Sequence, residues 1–469
     1  MRETHVRTCG GMRVLAVFLL YAASAFSASA QTYRVLHNFN GTDGNQPYGP
    51  LVQGFDGEFY GTTMIGGANS LGTFFKIRCN GVMTVLHHFM ESPATDAHPG
   101  LTLIEGPYGN FYGTTLMFGG EVYRMTPDGA ETILFIDEEY PNSLIWDWNY
   151  DLRGVDQIGG VADSAGDVFN LTTKGKEATV HTFCHRANCS DGQLPQAMIQ
   201  ASDGNFYGVT YAGGVIDSHG YTNGTIFAMG PTKPFTILYN FCAQANCADG
   251  GLPSGLMQSF DGNLYGTTDE GGANGVGTIF KITTTGVLTT LYSFCSLPNC
   301  ADGLKPFGPL IQGSDRNLYG VNASGGGANG AGTIFRITAD GVFTVLHTFD
   351  GADGNFPVGL VQGTDGAFYG ATENGGARNF GVVFRLDVGL GRFVQPVLTF
   401  GKVGDRVTLL GNNLAGATAI SFNGVSATIE KITKTWIATA VPVGATSGPI
   451  TVTTPSGTLS GNVSFTVLP

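Results

Sequence analysis

The chain repeats itself, and that constrains its fold more than any other feature of the sequence. One unit is plain at residues 309–349. It reads Pro-Leu-Ile-Gln-Gly-Ser-Asp-Arg-Asn-Leu-Tyr-Gly, then Gly-Gly-Gly-Ala-Asn-Gly, then Gly-Thr-Ile-Phe-Arg-Ile-Thr, then Phe-Thr-Val-Leu-His-Thr-Phe. The Tyr-Gly step recurs at Tyr60, Tyr112, Tyr207, Tyr265, Tyr319 and Tyr369. A further unit is disguised: residues 143–172 align without gaps to 309–338, with Leu152-Arg153-Gly154 standing for Leu-Tyr-Gly. That makes seven units, and a fixed period of this length means an array of identical supersecondary modules.

Each unit holds four short apolar or alternating runs separated by turn residues. In residues 309–349 they are Leu310-Ile311-Gln312, Leu318 to Val321, Thr333 to Ile337 and Phe343 to Phe349. Asp-Gly turns such as Asp203-Gly204 favour the positive φ that tight hairpins require. Four antiparallel strands per unit predict a propeller blade. The two ends of the array carry matching defects. Tyr33 to Phe39 matches a fourth strand, whereas the last unit stops after its third, Val382 to Leu386. The N-terminal strand is therefore expected to complete the last blade and close a seven-bladed ring, removing two exposed sheet edges. The fold class expected is all-β: a β-propeller over residues 31–390, then a small β-sandwich over residues 395–469.

Composition fits such a body, with 72 Gly, 42% hydrophobic and only 13% charged residues. At the N-terminus, Arg13 precedes the apolar run Val14 to Leu20, and Ala28-Ser29-Ala30 offers a small-residue cleavage pattern. Residues 1–30 read as a signal peptide, with Met12 an alternative start, and the protein as secreted or periplasmic. The apolar run is too short to span a bilayer, and no later stretch is long enough. Beyond residue 30 the chain holds 20 basic against 35 acidic residues, a net of −15. Such a surface repels a phosphate backbone, so nucleic acid is an improbable partner class. Cys184/Cys189, Cys242/Cys247 and Cys295/Cys300 share one spacing in the context Phe-Cys-x4-Cys-x-Asp-Gly. They read as three local disulfides rather than a zinc site, in keeping with export. Cys79 has no sequence partner and is expected to be a buried free thiol.

The units with Leu-Val-Gln-Gly, Asp-Gly and Phe-Tyr-Gly-Thr-Thr, as in Leu51 to Thr63, resemble the GloVer tandem-repeat family of secreted bacterial proteins, within the choice-of-anchor group. The resemblance spans about residues 33–388 and implies a propeller-like exported protein with no established activity. The last residues do not read as a C-terminal sorting segment, so surface anchoring is not expected. From Gln395 the repeat stops. Gly411-Asn412-Asn413-Leu414, Phe422-Asn423-Gly424 and Val463 to Val467 resemble an IPT/TIG domain, an Ig-like module. Trp436 is expected in its core.

The candidate sites divide between two faces. An Asp…Pro link recurs as Asp43…Pro47, Asp96…Pro99, Asp137…Pro141, Asp191…Pro195, Asp249…Pro253, Asp302…Pro306 and Asp353…Pro357. Carboxylates gathered at one mouth can bind cations, calcium being the candidate, or a polyhydroxylated ligand. The competing expectation is that each Asp bonds its own loop backbone. His37, His87 and His347 share one repeat position, which is Tyr239 or Tyr292 elsewhere, and read as structural.

Unit three departs most from the pattern. It carries Asp137-Glu138-Glu139 in its incoming link and Trp146, Trp148, Asn149 and Tyr150 at its first turn. Aromatics stack on sugar rings while Asp and Asn bond hydroxyls, so these are the candidate ligand-binding residues. The bland alternative is that Trp146 packs against a neighbouring blade. Neither His-Glu-x-x-His nor a nucleophile elbow occurs in a convincing context. The sequence therefore reads as an exported, non-catalytic binding or scaffold protein for glycans or cell-surface partners. The alternatives are a polysaccharide lyase or hydrolase using the acidic mouth and a purely structural envelope component.

Overall fold

The computed structural model describes residues 31–90, 98–116, 120–136, 140–158, 165–216, 220–231 and 233–469. The signal-like segment, Asp96, Asp137, Glu138 and Glu139 lie outside them. The described strands form seven separate antiparallel sheets and one further sheet at the C-terminus. Blades 1 to 6 each run in chain order from an inner to an outer strand. Blade 7 takes its outer strand from the other end of the chain. Thr32–Asn38 pairs with Val382–Asp387, from Thr32 opposite Asp387 to Asn38 opposite Val382. The disguised unit is an ordinary blade: Gly154 lies opposite Phe169 as Gly320 lies opposite Phe335.

The Tyr-Gly step has a packing origin. The third-strand aromatic lies over the glycine of the second strand, and a Cβ at Gly320 would sit 2.5 Å from the Phe335 ring. Similar clashes arise between Gly208 and Phe227 and between Gly370 and Phe384. The tyrosine turns the other way, toward the next blade. Tyr60 meets Phe111 at 4.3 Å, Tyr319 meets Phe368 at 4.2 Å, and Tyr369 meets Phe59 at 3.9 Å across the closure. Its hydroxyl donates to the Asp of its own first turn, as in Tyr60 to Asp56 and Tyr319 to Asp315. In blade 3, Arg153 takes the tyrosine's place, stacking over Phe206 at 4.3 Å and facing Asp147 at 3.5 Å.

Two further contacts join the blades. The link proline packs on the glycine before the third strand of the preceding blade, and the residue before it donates its N–H to that blade. Phe356 N–H reaches the Ala331 carbonyl, and Gln46 N–H reaches Phe380 across the closure. Strand one accordingly begins earlier than the sequence indicates, at Leu304 rather than Leu310 in blade 6. Its link residue, Lys305, adopts a positive φ of 54°.

The second contact is a belt around the axis. Gln362 accepts from Ser314 N–H, Gln312 from Phe260, Gln258 from Ser202, Gln200 from Trp148, and Gln53 from Thr364. Each bond crosses from one blade to its predecessor. Glu105 holds the same place in blade 2 and accepts from Phe55 N–H.

The C-terminal strands order as Val425–Ala427, Ala419–Phe422, Gly448–Thr454, Gly457–Leu468, Val394–Pro396, Arg406–Gly411, Trp436–Ala440 and Ile429–Ile432. Phe400–Lys402 adds to Thr466–Leu468 in parallel. They wrap a core of Val394, Leu409, Leu414, Phe422, Ile437, Val452 and Phe465, a small sandwich. Trp436 is not in that core, contrary to expectation. It is half-buried, with its ring 5.8 Å from Phe55 of blade 1. Cys79 is exposed rather than buried, because it lies in the turn that follows strand three of blade 1, Thr73–Ile77. The disulfides Cys184–Cys189, Cys242–Cys247 and Cys295–Cys300 are formed.

The closure can be tested at one atom. Gly381 has φ +90°, and an added Cβ would lie 2.3 Å from the Thr372 carbonyl oxygen and 2.7 Å from Pro47 Cδ. Gly381→Ala should cost about 2–4 kcal/mol through strain and overpacking, read as a lower urea midpoint. The exposed Gly262→Ala, with positive φ but open space around it, should cost less.

Candidate functional site

The two ends of the ring differ. At one end lie the links and the Gly-Gly loops, which bond one another: Gly67 N–H to Gly41, Gly272 to Cys247, Gly326 to Cys300 and Gly376 to Gly351. Each described link carboxylate there is occupied by its own loop. Asp249 accepts from Ala243 and Gln244 N–H, Asp302 from Ser296 and Leu297, Asp191 from His185 and Arg186, Asp43 from Asn40, and Asp353 from Asp350. The shared outer-strand position supplies a second partner. Tyr239 and Tyr292 donate to Asp249 and Asp302, while His37 and His347 meet Asp43 and Asp353 at 2.9 and 2.8 Å. His181, at the same position in blade 3, instead stacks on Phe235 at 3.6 Å, and burial lowers it to about 4. Among the described residues no three His, Cys, Asp or Glu side chains come together as a metal-binding group.

The C-terminal domain covers the opposite end, where the first turns lie. Thr435 Oγ1 donates to the Phe55 carbonyl at 2.7 Å. Tyr150 donates to Asp405 at 2.5 Å, and its ring lies 5.5 Å from Phe400. Phe400 and Leu468 complete an apolar cluster with Tyr112, Leu144 and Trp146, so blades 2 and 3 share a core with this domain.

The candidate residues of unit three are spread around this junction. Trp146 is only 9% exposed; its ring meets Tyr112 edge-on at 4.9 Å, and its indole N–H donates to the Glu105 carbonyl. It stands where blades 1, 4, 5, 6 and 7 carry the belt glutamine. Trp148 lies against Gly204 of blade 4. Asn149 N–H bonds Asp147 within the turn. Tyr150 faces the C-terminal domain.

Between the first turns and that domain runs a groove of about 330 Å³, lined by Tyr108, Tyr112, Trp146, Tyr150, Phe400, Asp405 and Arg406 among others. Tyr108 is 83% exposed at its rim. It was missed from the sequence, although the signal was present. Pro107-Tyr108-Gly109 replaces the repeated Ser-Asp-Gly turn, which puts an aromatic where five other blades place the turn Asp.

Blade 3 also departs at its far end. Blades 1, 4 and 5 carry hydrogen-bonded threonine pairs there, such as Thr268 with Thr278. Blade 3 sets Asp156 opposite Asp167, 1% and 3% exposed.

Glu105 makes the belt sensitive to pH. Burial pushes its carboxyl well above the usual carboxylate range. A protonated Glu105 resembles the glutamine of blades 1, 4, 5, 6 and 7, and ionisation buries a charge that the Phe55 N–H offsets only in part. Because its folded value lies above the unfolded one, its contribution is full below about pH 4.3 and is lost as pH rises through the folded value. Glu105→Gln should therefore raise Tm at pH 7–9 and leave it unchanged near pH 4, measured by thermal melts across that range.

Three solved structures illustrate the likeness of fold. The extracellular domain of BT3049 from B. thetaiotaomicron, named as a hybrid two-component system, aligns at 11% identity over 93% of this chain and 58% of its own, with a TM-score of 0.52. The corresponding domain of BT4673 aligns at 13% identity over 94% and 60%, with a TM-score of 0.50. This chain thus spans somewhat over half of each. A fungal alcohol oxidase solved with copper aligns at 11% identity over 91% and 98%, with a TM-score of 0.51. At these identities the likeness is one of fold alone. No curated protein matches the chain. The model of the Gloeobacter/Verrucomicrobia repeat matches residues 22–219 and 195–428, and that of the IPT/TIG domain matches residues 394–467. The chain belongs to the Gloeobacter/Verrucomicrobia repeat family and ends in an IPT/TIG domain.

Proposed function

We propose that this protein works outside the cytoplasm as a non-catalytic binding or scaffold protein, and that it holds a glycan in the aromatic groove between blades 2 and 3 and the IPT/TIG domain. A propeller with an IPT/TIG domain fits an extracellular binding or scaffold role. Three formed disulfides accord with an oxidising compartment. Among the described residues no helix is long and apolar enough to cross a membrane. The observation that carries the glycan reading is Tyr108. A large aromatic at 83% exposure, beside Tyr150 and the Asp405 carboxylate, offers a stacking face next to a hydroxyl acceptor.

The second reading, a polysaccharide-active enzyme, draws on the opposed carboxylates Asp156 and Asp167, since glycoside cleavage uses carboxyl pairs. Their near-complete burial leaves a substrate no approach, so binding is the stronger reading.

A glycan array with residues 31–469 tests both. Binding should fall about tenfold or more in Tyr108→Ala, the loss of one stacking contact, with Tm unchanged because the side chain is exposed. Running the array with calcium and with chelator separates this groove from a cation-dependent site at the acidic mouth. Release of reducing ends would favour the enzyme instead. No glycan bound under either condition would sink the glycan reading and leave a surface protein as the partner.

A further inference from the structure

The ring axis holds a second cavity, distinct from the aromatic groove and larger than it. It measures about 620 Å³ and lies between the innermost strands and the IPT/TIG domain. In five of the seven blades the residue before the belt position faces it: Ile145, Ile199, Met257, Ile311 and Val361 contribute an apolar wall. The opposite wall comes from Phe400, Asn462, Val463 and Ser464 of the IPT/TIG domain. Two features define what it can take. First, none of its lining residues is charged, in a chain with 59 Asp, Glu, Lys and Arg residues. A charged ligand would lose its hydration with nothing to replace it. Second, Asn462 is 7% exposed, and its amide oxygen has no hydrogen-bond partner among the described residues. A buried acceptor left unmatched is costly, and a donor on a bound molecule would satisfy it. The belt glutamines at the rim are already committed to backbone N–H groups, so they do not compete for that donor.

We propose that this axial chamber is a binding site for a neutral, mainly apolar ring compound that carries one N–H or O–H donor. Its volume lies within the range of pockets that enclose small organic ligands. The IPT/TIG domain is then more than a spacer: it supplies one wall of the chamber and the unmatched Asn462 acceptor. The chamber shares Trp146 and Phe400 with the glycan groove but does not include that groove's Tyr108, Tyr150, Asp405 and Arg406.

A matched pair of dyes tests the assignment on residues 31–469. N-phenyl-1-naphthylamine is neutral and has one N–H; 8-anilino-1-naphthalenesulfonate is the same skeleton with a negative charge. The neutral dye should saturate at one per chain, and the charged dye should bind at least about tenfold more weakly, as expected for an uncharged cavity. Ile311→Trp, which fills the chamber from the propeller side, and Ser464→Trp, which fills it from the IPT/TIG side, should each lower the neutral dye's affinity about tenfold or more. Asn462→Ala should lower it about five- to tenfold, the loss of one hydrogen bond. If Ile311→Trp does not fold, Ser464→Trp decides, because Ser464 is exposed and tolerates the change. The proposal is overturned if the neutral dye shows no saturable binding, if both dyes bind equally, or if folded Ser464→Trp binds like the parent.

Discussion

The ring depends on one pairing. Thr32–Asn38 supplies the fourth strand of blade 7, joining residues that lie some 350 positions apart in the chain. Closing so large a loop carries an entropic cost that grows only slowly with length, whereas each unpaired sheet edge exposes a full row of backbone donors and acceptors. The closure is reinforced by every contact the other junctions use. Tyr369 stacks on Phe59, Gln46 bonds Phe380, Gln53 accepts from Thr364, and Pro47 packs on Gly381. Because the junction repeats the others so fully, seven equivalent blades are stable where an open array would end in two raw edges.

Symmetry of this kind accounts for most conspicuous residues and so relieves them of a functional role. The link aspartates organise their own turns, and the first-turn aspartates anchor tyrosine hydroxyls. What remains is the set of places where the pattern is broken, and they converge. Tyr108 replaces a turn Asp, Trp146 replaces a belt Gln, Glu105 replaces its neighbour, and Tyr150 reaches across to Asp405. All four belong to blades 2 and 3, beneath the IPT/TIG domain. The irregular blades are the ones that receive a partner of different shape, so they cannot keep surfaces designed to meet another blade.

Much of the fold was legible because its causes are local or periodic. The strand rhythm, the unpaired ends and the Cys spacing each follow from nearest-neighbour chemistry, and even Arg153-Gly154 keeps the glycine that Phe169 requires. The site was only partly legible. Trp146 and Tyr150 stood out by composition, yet Trp146 packs inward through a contact with Glu105 that no repeat alignment contains. Trp436 leaves its own sandwich to meet Phe55, a contact between pieces 381 residues apart with no periodic signal. Tyr108 was hidden because a single substitution in a turn looks like ordinary drift until the domain above it is in place.

The disulfides have a mechanical consequence. They staple the links into blades 4, 5 and 6, while the links into blades 7 and 1 are held by non-covalent bonds alone, among them those of Asp353 and Asp43 to their own loops. Under tension the stapled links cannot pay out slack, and the load passes to the non-covalent joints. The strand that closes the ring, Thr32–Asn38, is the first described strand of the chain. Pulled between its termini, the molecule would yield there first, unzipping blade 7 and opening the circle while blades 4 to 6 stay whole. A protein held at its two ends would thus carry a built-in breaking point, set by where the cysteines are absent.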